Sequence, residues 1–122
     1  LHKELSYTVI GLLYKIFNTL GYGYREKYYE RALARELRKH GLQFETQKTV
    51  PLIYEGEVLG KYVIDFVIER KVVVELKVAN SFRVKDFQQV LSYLKSNGME
   101  LGLLILVTKE GIRYKRILNT QR

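Results

Sequence analysis

The sequence predicts one α/β domain spanning residues 1–122, a mixed β-sheet flanked by helices in the order ααβββαββ. Three observations predict it. Two segments near the start repeat apolar residues at helical spacing. From Gln43 the period changes to that of strands, and it returns to helical spacing only over Val84–Asn97. The run "LGLLILV" at 101–107 is apolar throughout, as a strand covered on both faces requires.

Leu5 to Leu20 carries apolar residues at 5, 9, 12, 13, 16, 17 and 20, which makes a first amphipathic helix, and "GYG" at 21–23 breaks it. A second helix is predicted from about Tyr24 to His40. Leu33 and Leu37 lie on one side of it, and Gly41 is placed for a C-terminal cap with positive φ. Phe44, Val50, Leu52 and Tyr54 mark a strand, and Pro51 favours an edge or bulge position for it. "YEGE" at 54–57 reads as a turn around Gly56. Val58–Ile68 and Val72–Val78 follow as strands joined by Glu69, Arg70 and Lys71. Val84–Asn97 returns to helical spacing through Val84, Phe87, Val90, Leu91 and Leu94, with Val90, Leu91 and Leu94 as its buried stripe, and ends at Gly98. After Leu101–Val107, "KEG" turns the chain into a last strand, Ile112–Ile117.

The chain has 122 residues, enough for one modest core. It has no cysteine, which excludes disulfides, thiolate zinc sites, iron–sulfur clusters and a thiol nucleophile. That usage fits a reducing cytoplasm. The sequence has no apolar run long enough to span a membrane, and no signal peptide is read at its start. Twenty-one Lys and Arg against 13 Asp and Glu leave a net charge of +8, an excess that attracts polyanions, nucleic acid foremost.

"VIDFVIERKVVVELKVAN" at 63–80 sets Asp65, Glu75 and Lys77 inside apolar strand runs. Glu75 and Lys77, two apart, point to one face. A three-residue loop at 69–71 would pair Asp65 directly with Glu75 on that face, whereas a two-residue loop would put the carboxylates on opposite faces. Two adjacent carboxylates repel, and one lysine neutralises only one of them. A raised pKa, a second cation or a bound metal must resolve the conflict. Hard oxygen donors suit Mg²⁺ or Mn²⁺. A surface ladder of ion pairs would use the same residue types.

Asp65, nine residues and then "ELK" at 75–77 resembles the PD-(D/E)XK nuclease superfamily. Gln89 and Tyr93 in "QQVLSY" resemble the Gln-x-x-x-Tyr element of its exonuclease-like branches. "GYREKYY" at 23–29 matches Gly-x-x-Glu-x-x-Tyr through Gly23, Glu26 and Tyr29, the motif of the GxxExxY protein family within that superfamily. "GLLIL" at 102–106 and "YKRI" at 114–117 resemble that family's last strands. Ile64 stands where the superfamily pattern has proline.

The resemblance implies a restriction-endonuclease-like core and a Mg²⁺- or Mn²⁺-dependent nuclease acting on nucleic acid, DNA before RNA. It implies Asp65, Glu75 and the carbonyl of Leu76 as metal ligands, Lys77 as the catalytic lysine, and Glu26 completing the acidic cluster. Gln89 would position the site or the nucleic acid, with Tyr93 beside it. Glu30, one turn from Glu26 on the same helix face, is the alternative to it. Arg25, Lys27, Lys61, Lys71, Arg83, Lys85 and Lys95 are candidates for phosphate contacts. A junction resolvase and a non-catalytic binding module are the rival functions. A domain this small often needs a second copy to cut both strands, so a homodimer is one form expected.

Overall fold

The computed structural model describes residues 1–120. Its elements are α1 (Lys3–Leu20), α2 (Glu26–Lys39), β1 (Phe44–Tyr54), β2 (Glu57–Ile68), β3 (Val72–Val78), α3 (Val84–Asn97), β4 (Leu101–Thr108) and β5 (Gly111–Leu118). The order is ααβββαββ, as the periodicity predicts. The second helix starts at Glu26 rather than Tyr24, because Arg25 is extended and serves as its N-cap.

The five strands form one sheet in sequence order. β1–β2, β2–β3 and β4–β5 pair antiparallel, and β3–β4 pair parallel across the α3 connection. A parallel pair needs such a crossover, because a tight turn cannot reverse the chain twice. β1 is an edge strand, the position Pro51 favours, and the β1–β2 register shifts beside it at Leu52/Ile53.

Helices cover both faces. Val9, Leu13 and Ile16 of α1 and Tyr29, Leu33 and Leu37 of α2 pack with Phe66, Val74, Leu76 and Ile105. On the other face Val90, Tyr93 and Leu94 of α3 pack with Ile64, Val67, Val73 and Leu104. Every residue of β4 is buried, which explains its unbroken apolar run.

Between β2 and β3 the ladder runs Ile68↔Val72, Val67↔Val73 and Phe66↔Val74, the register that the three-residue loop 69–71 demands. It stops one step before Asp65 and Glu75. Against β1, the ladder contains Thr46↔Phe66 and Lys48↔Ile64 but passes over Asp65, opposite a Gln47 whose φ is 55°. Around Asp65 the side chains also break strict alternation: Ile64 joins the α3-side core, while Phe66 joins the core under α1 and α2. Asp65 therefore sits where β2 twists free of ordinary pairing on both sides.

Candidate metal-binding active site

The gap left by the broken ladder is filled by carboxylates. The Asp65 backbone N–H donates to Glu75 Oε1 at 3.1 Å, and the Leu76 N–H donates to Asp65 Oδ2 at 2.7 Å. Side chains thus replace backbone partners that the diverging strands cannot supply, meeting the requirement that buried N–H groups be paired. Asp65 and Glu75 are both buried.

α2 brings two more acids. Tyr29, fully buried in the second turn of α2, donates its hydroxyl to Gly21 O at 2.5 Å and accepts from the Tyr24 N–H at 3.4 Å. That clasp fixes the "GYG" loop and with it the start of α2, where Glu26 stands. Glu26 Oε1 accepts from the Val78 N–H at 3.3 Å, bridging α2 to the end of β3. Glu30, one turn on, accepts from Gln47 Nε2 at 3.4 Å. One carboxylate oxygen from each of Glu26, Glu30 and Asp65 lies within 4.8 Å of the other two. The sequence left Glu26 and Glu30 as alternatives. The structure brings both in.

The electrostatics follow from crowding. Burial first, then the charge of Glu75, pushes the Asp65 carboxyl up to about 8. Glu75 is also raised by burial, against the opposing effects of its hydrogen bond with Asp65 and the charge of Lys77. Glu30 is pushed up to about 7 by burial and by the neighbouring Asp65 and Glu26. The compensating cation is Lys77, whose Nζ lies 3.7 Å from Glu75 Oε2. Burial works to lower its pKa, but Glu75, Glu26, Asp86 and Asp65 together raise it, so the ammonium is held charged. Asp86, 2% exposed in the first turn of α3, is an acid facing this site that sequence reasoning passed over, since an acid there reads as ordinary helix N-terminal stabilisation.

The donor set suits a hard divalent cation. Three carboxylates converge, two of them pushed towards the neutral form by mutual repulsion and burial, and one lysine opposes them. In this arrangement Glu75 lies outside the tight trio, between the Asp65 backbone and Lys77. Leu76 meets the site through its N–H to Asp65.

Of the remaining sequence candidates, Gln89 is half-buried on α3. Tyr93 packs in the α3-side core, where burial raises its pKa and its charged neighbours are Lys48 and Glu45 of β1. Arg25, Lys27, Lys61, Lys71, Arg83, Lys85 and Lys95 are all exposed, as phosphate contacts must be. His40 caps α2, its Nδ1 2.9 Å from Glu36 O, and His2 lies 3.9 Å from Glu100, so both stand apart from the acids.

The fold and site together define an α/β protein with a cluster of buried and half-buried acids and a charged lysine at a broken strand pair of a mixed sheet. The chain belongs to the PD-(D/E)XK nuclease superfamily, whose profile matches residues 3–117. No curated protein matches it. Among solved structures it is similar to SSO0001, with a TM-score of 0.61 and 22% identity over 80% of this chain and 52% of that one. It is also similar to the alkaline exonuclease LHK-Exo from Laribacter hongkongensis, with a TM-score of 0.49 and 14% identity over 76% of this chain and 54% of that one. The chain thus spans about half the length of each of these structures. The first likeness agrees with the restriction-endonuclease-like fold. No helix among the described residues is long and apolar enough to cross a membrane.

Proposed function

We propose that this domain is a divalent-metal-dependent nuclease that hydrolyses phosphodiester bonds, with DNA as its substrate and Mg²⁺ or Mn²⁺ as its ion. The observation that carries the reading is the convergence of Glu26, Glu30 and Asp65 beside Glu75 and Lys77 on a chain of net charge +8. Gly23, Glu26 and Tyr29 match the GxxExxY motif, which supports reading the chain as that branch, and the Tyr29 clasp gives the spacing a physical purpose. The reading treats residues 1–122 as one nuclease-like domain, working in the cytoplasm, with a second copy supplying the cut in the opposite strand.

In this mechanism Glu26, Glu30 and Asp65, with Glu75 and the Leu76 carbonyl beside them, would hold the ion, which would supply Lewis acidity at the phosphodiester. The chain's own groups do the rest. Lys77, kept protonated by the acids around it, orients the attacking water and neutralises charge that develops on the phosphoryl oxygens. Glu75 holds both Lys77 and the Asp65 backbone, and so fixes the distance between cation and acids. Gln89 helps position the site or the nucleic acid, with Tyr93 one turn along α3 beside it. Among the motifs, no serine, cysteine or histidine accompanies Lys77, which favours direct attack of water over a covalent intermediate.

The test compares wild type with Glu75→Ala and Lys77→Ala on single-stranded, duplex and branched DNA and on RNA, with Mn²⁺ present. Each variant is expected to lose cleavage by about 100-fold or more while still binding nucleic acid. Equal cleavage by wild type and both variants would end the enzyme reading. A preference for branched substrates would redirect it to a resolvase, and metal-independent binding without turnover to a binding module.

A further inference from the structure

The sheet register carries the site's face onward to β5. Glu75 pairs with Leu104 and Lys77 with Leu106, while Leu104 pairs with Lys115 and Leu106 with Arg113. Cross-strand partners share a face. Lys115 and Arg113 therefore lie in line with Glu75 and Lys77 on the α3 side of the sheet, two strand spacings or about 10 Å away. The leucines between them are buried, whereas both cations are exposed on an edge strand.

A single aromatic ring organises the two. Phe82, in the segment joining β3 to α3, lies 5.4 Å from the Arg113 guanidinium carbon and 5.7 Å from Lys115 Nζ, measured to the ring centroid. Phe82 is itself seated against Phe87 of α3, ring centroids 5.8 Å apart. Neither cation forms an ion pair among the described residues. Two long side chains are thus drawn to one ring with their charges left unspent, which lowers the entropy lost when they grip an anion.

We infer that Phe82, Arg113 and Lys115 form a phosphate-holding shelf for the nucleic-acid strand whose scissile bond lies over Asp65, Glu75 and Lys77. The inference rests on the nuclease reading and names contacts that reading leaves open. The shelf shares the α3-side face with Glu75 and Lys77, while Glu26 and Glu30 reach Asp65 from α2 on the other face, and the shelf supplies positive charge beside an acidic pocket that would repel a polyanion. One strand can touch both. Phe82 is a positioning residue, since its faces are taken up by the cations.

The test removes charge without shortening side chains. Arg113→Gln/Lys115→Gln is compared with Lys3→Gln/Arg116→Gln, an equal change of net charge. Arg116 lies on the same strand but points to the opposite face, paired with Leu103 of the other core. Affinity for a labelled single-stranded oligonucleotide is measured without divalent ions over a range of salt, and Mn²⁺ binding is measured by calorimetry. The shelf variant should bind about tenfold more weakly, and its slope of log affinity against log salt should shrink by about 1.4, two phosphate contacts' worth. Its Mn²⁺ binding should be unchanged. The swap Arg113→Lys/Lys115→Arg should restore affinity.

Equal weakening in both double variants would reduce the shelf to bulk charge and overturn it. So would wild-type affinity in Arg113→Gln/Lys115→Gln. Either result leaves the nuclease reading intact, because that reading is judged on Glu75 and Lys77. A wild-type chain that neither binds nor cuts nucleic acid would overturn both.

Discussion

Asp65 and Glu75 are coupled through each other's strands: Glu75 Oε1 accepts the Asp65 N–H, and Asp65 Oδ2 accepts the N–H of Leu76, the residue after Glu75. The acids of the site thereby do the structural work of missing ladder bonds. Their ionisation is tied to the sheet itself, and their charge is a cost the fold carries until a cation arrives.

The first prediction concerns pH and the metal-free protein. Asp65 is pushed up to about 8 and Glu30 to about 7, while in the unfolded chain both release their protons in the ordinary carboxylate range. Between about pH 4 and pH 8 the folded state binds more protons than the unfolded state, so stability falls as pH rises. The groups facing Asp65 are Glu26, Glu30, Glu75 and the Leu76 N–H, with Lys77 the compensating cation beyond Glu75. Thermal unfolding in EDTA should show a lower midpoint at pH 8 than at pH 5. Asp65→Asn mimics the neutral acid, so it should flatten the profile and raise stability at pH 8, by on the order of a few kcal/mol. A variant that tracks wild type at every pH would remove the electrostatic account.

The second prediction adds the ion. A divalent cation binds the ionised carboxylates and so competes with protons. Mn²⁺ should therefore stabilise the protein more at pH 8 than at pH 5.5. At 100 times the dissociation constant the gain is about 2.7 kcal/mol. Because Glu30 belongs to the close trio, Glu30→Gln should weaken Mn²⁺ binding by about tenfold or more in calorimetry. Undiminished affinity would take Glu30 out of the ligand set and leave Glu26 and Asp65 to hold the ion.

What the sequence disclosed and what it hid divide by locality. The β2–β3 register depends on one loop, and a count of residues from Ile68 to Val72 settles its parity, but the ladder ends at Phe66↔Val74 and Asp65 meets Glu75 through its N–H rather than as a ladder partner. The helices disclosed themselves by period. Glu30 could not be resolved from Glu26, because both lie on one face of α2 and only the lean of that helix over the sheet decides which acids reach Asp65. The break in the ladder at Asp65 depends on the positive φ of Gln47, which no propensity signals for a glutamine. Arg113 and Lys115 were hidden by their own alternation. Charges two apart on an edge strand look like an ordinary solvated face until the β3–β4–β5 register aligns them with Lys77 and Glu75.

Tyr29 yields a third prediction. Its hydroxyl satisfies Gly21 O, and the loop it ties down sets the first turn of α2. Tyr29→Phe keeps the buried ring and removes only the hydroxyl, with its bonds to Gly21 O and from the Tyr24 N–H. It should cost about 1–2 kcal/mol in urea unfolding, the net worth of these two hydrogen bonds. Mn²⁺ affinity should fall severalfold as well, because Glu26 begins the helix that the clasp fixes. Lower stability with unchanged metal affinity would show that Glu26 is held by its contact with Val78 alone.

Gly102 gives the last. It lies in the apolar run of β4, where its lack of a side chain is easily read as incidental. A Cβ built there would come within 2.4 Å of Val90 Cγ1 and 3.6 Å of Leu94 Cδ1, so α3 rests directly on the strand backbone at this point. Val90 is fully buried and β-branched, and it has little rotamer freedom with which to retreat. Gly102→Ala must therefore push α3 outward, at about 1–3 kcal/mol by the cost of overpacking. Trimming the opposing side chain should give the space back: Gly102→Ala/Val90→Ala should be more stable than the sum of the single changes, a coupling of at least 0.5 kcal/mol in urea unfolding. The effect should also reach function, because α3 carries Gln89 and anchors Phe87 under Phe82. Gly102→Ala should weaken oligonucleotide binding in the same salt-dependent way as loss of Arg113 and Lys115, and the second substitution should recover part of it. Additive stabilities in the double variant would mean that helix and strand are not in contact at Gly102, and the close seating of α3 on β4 would have to be abandoned.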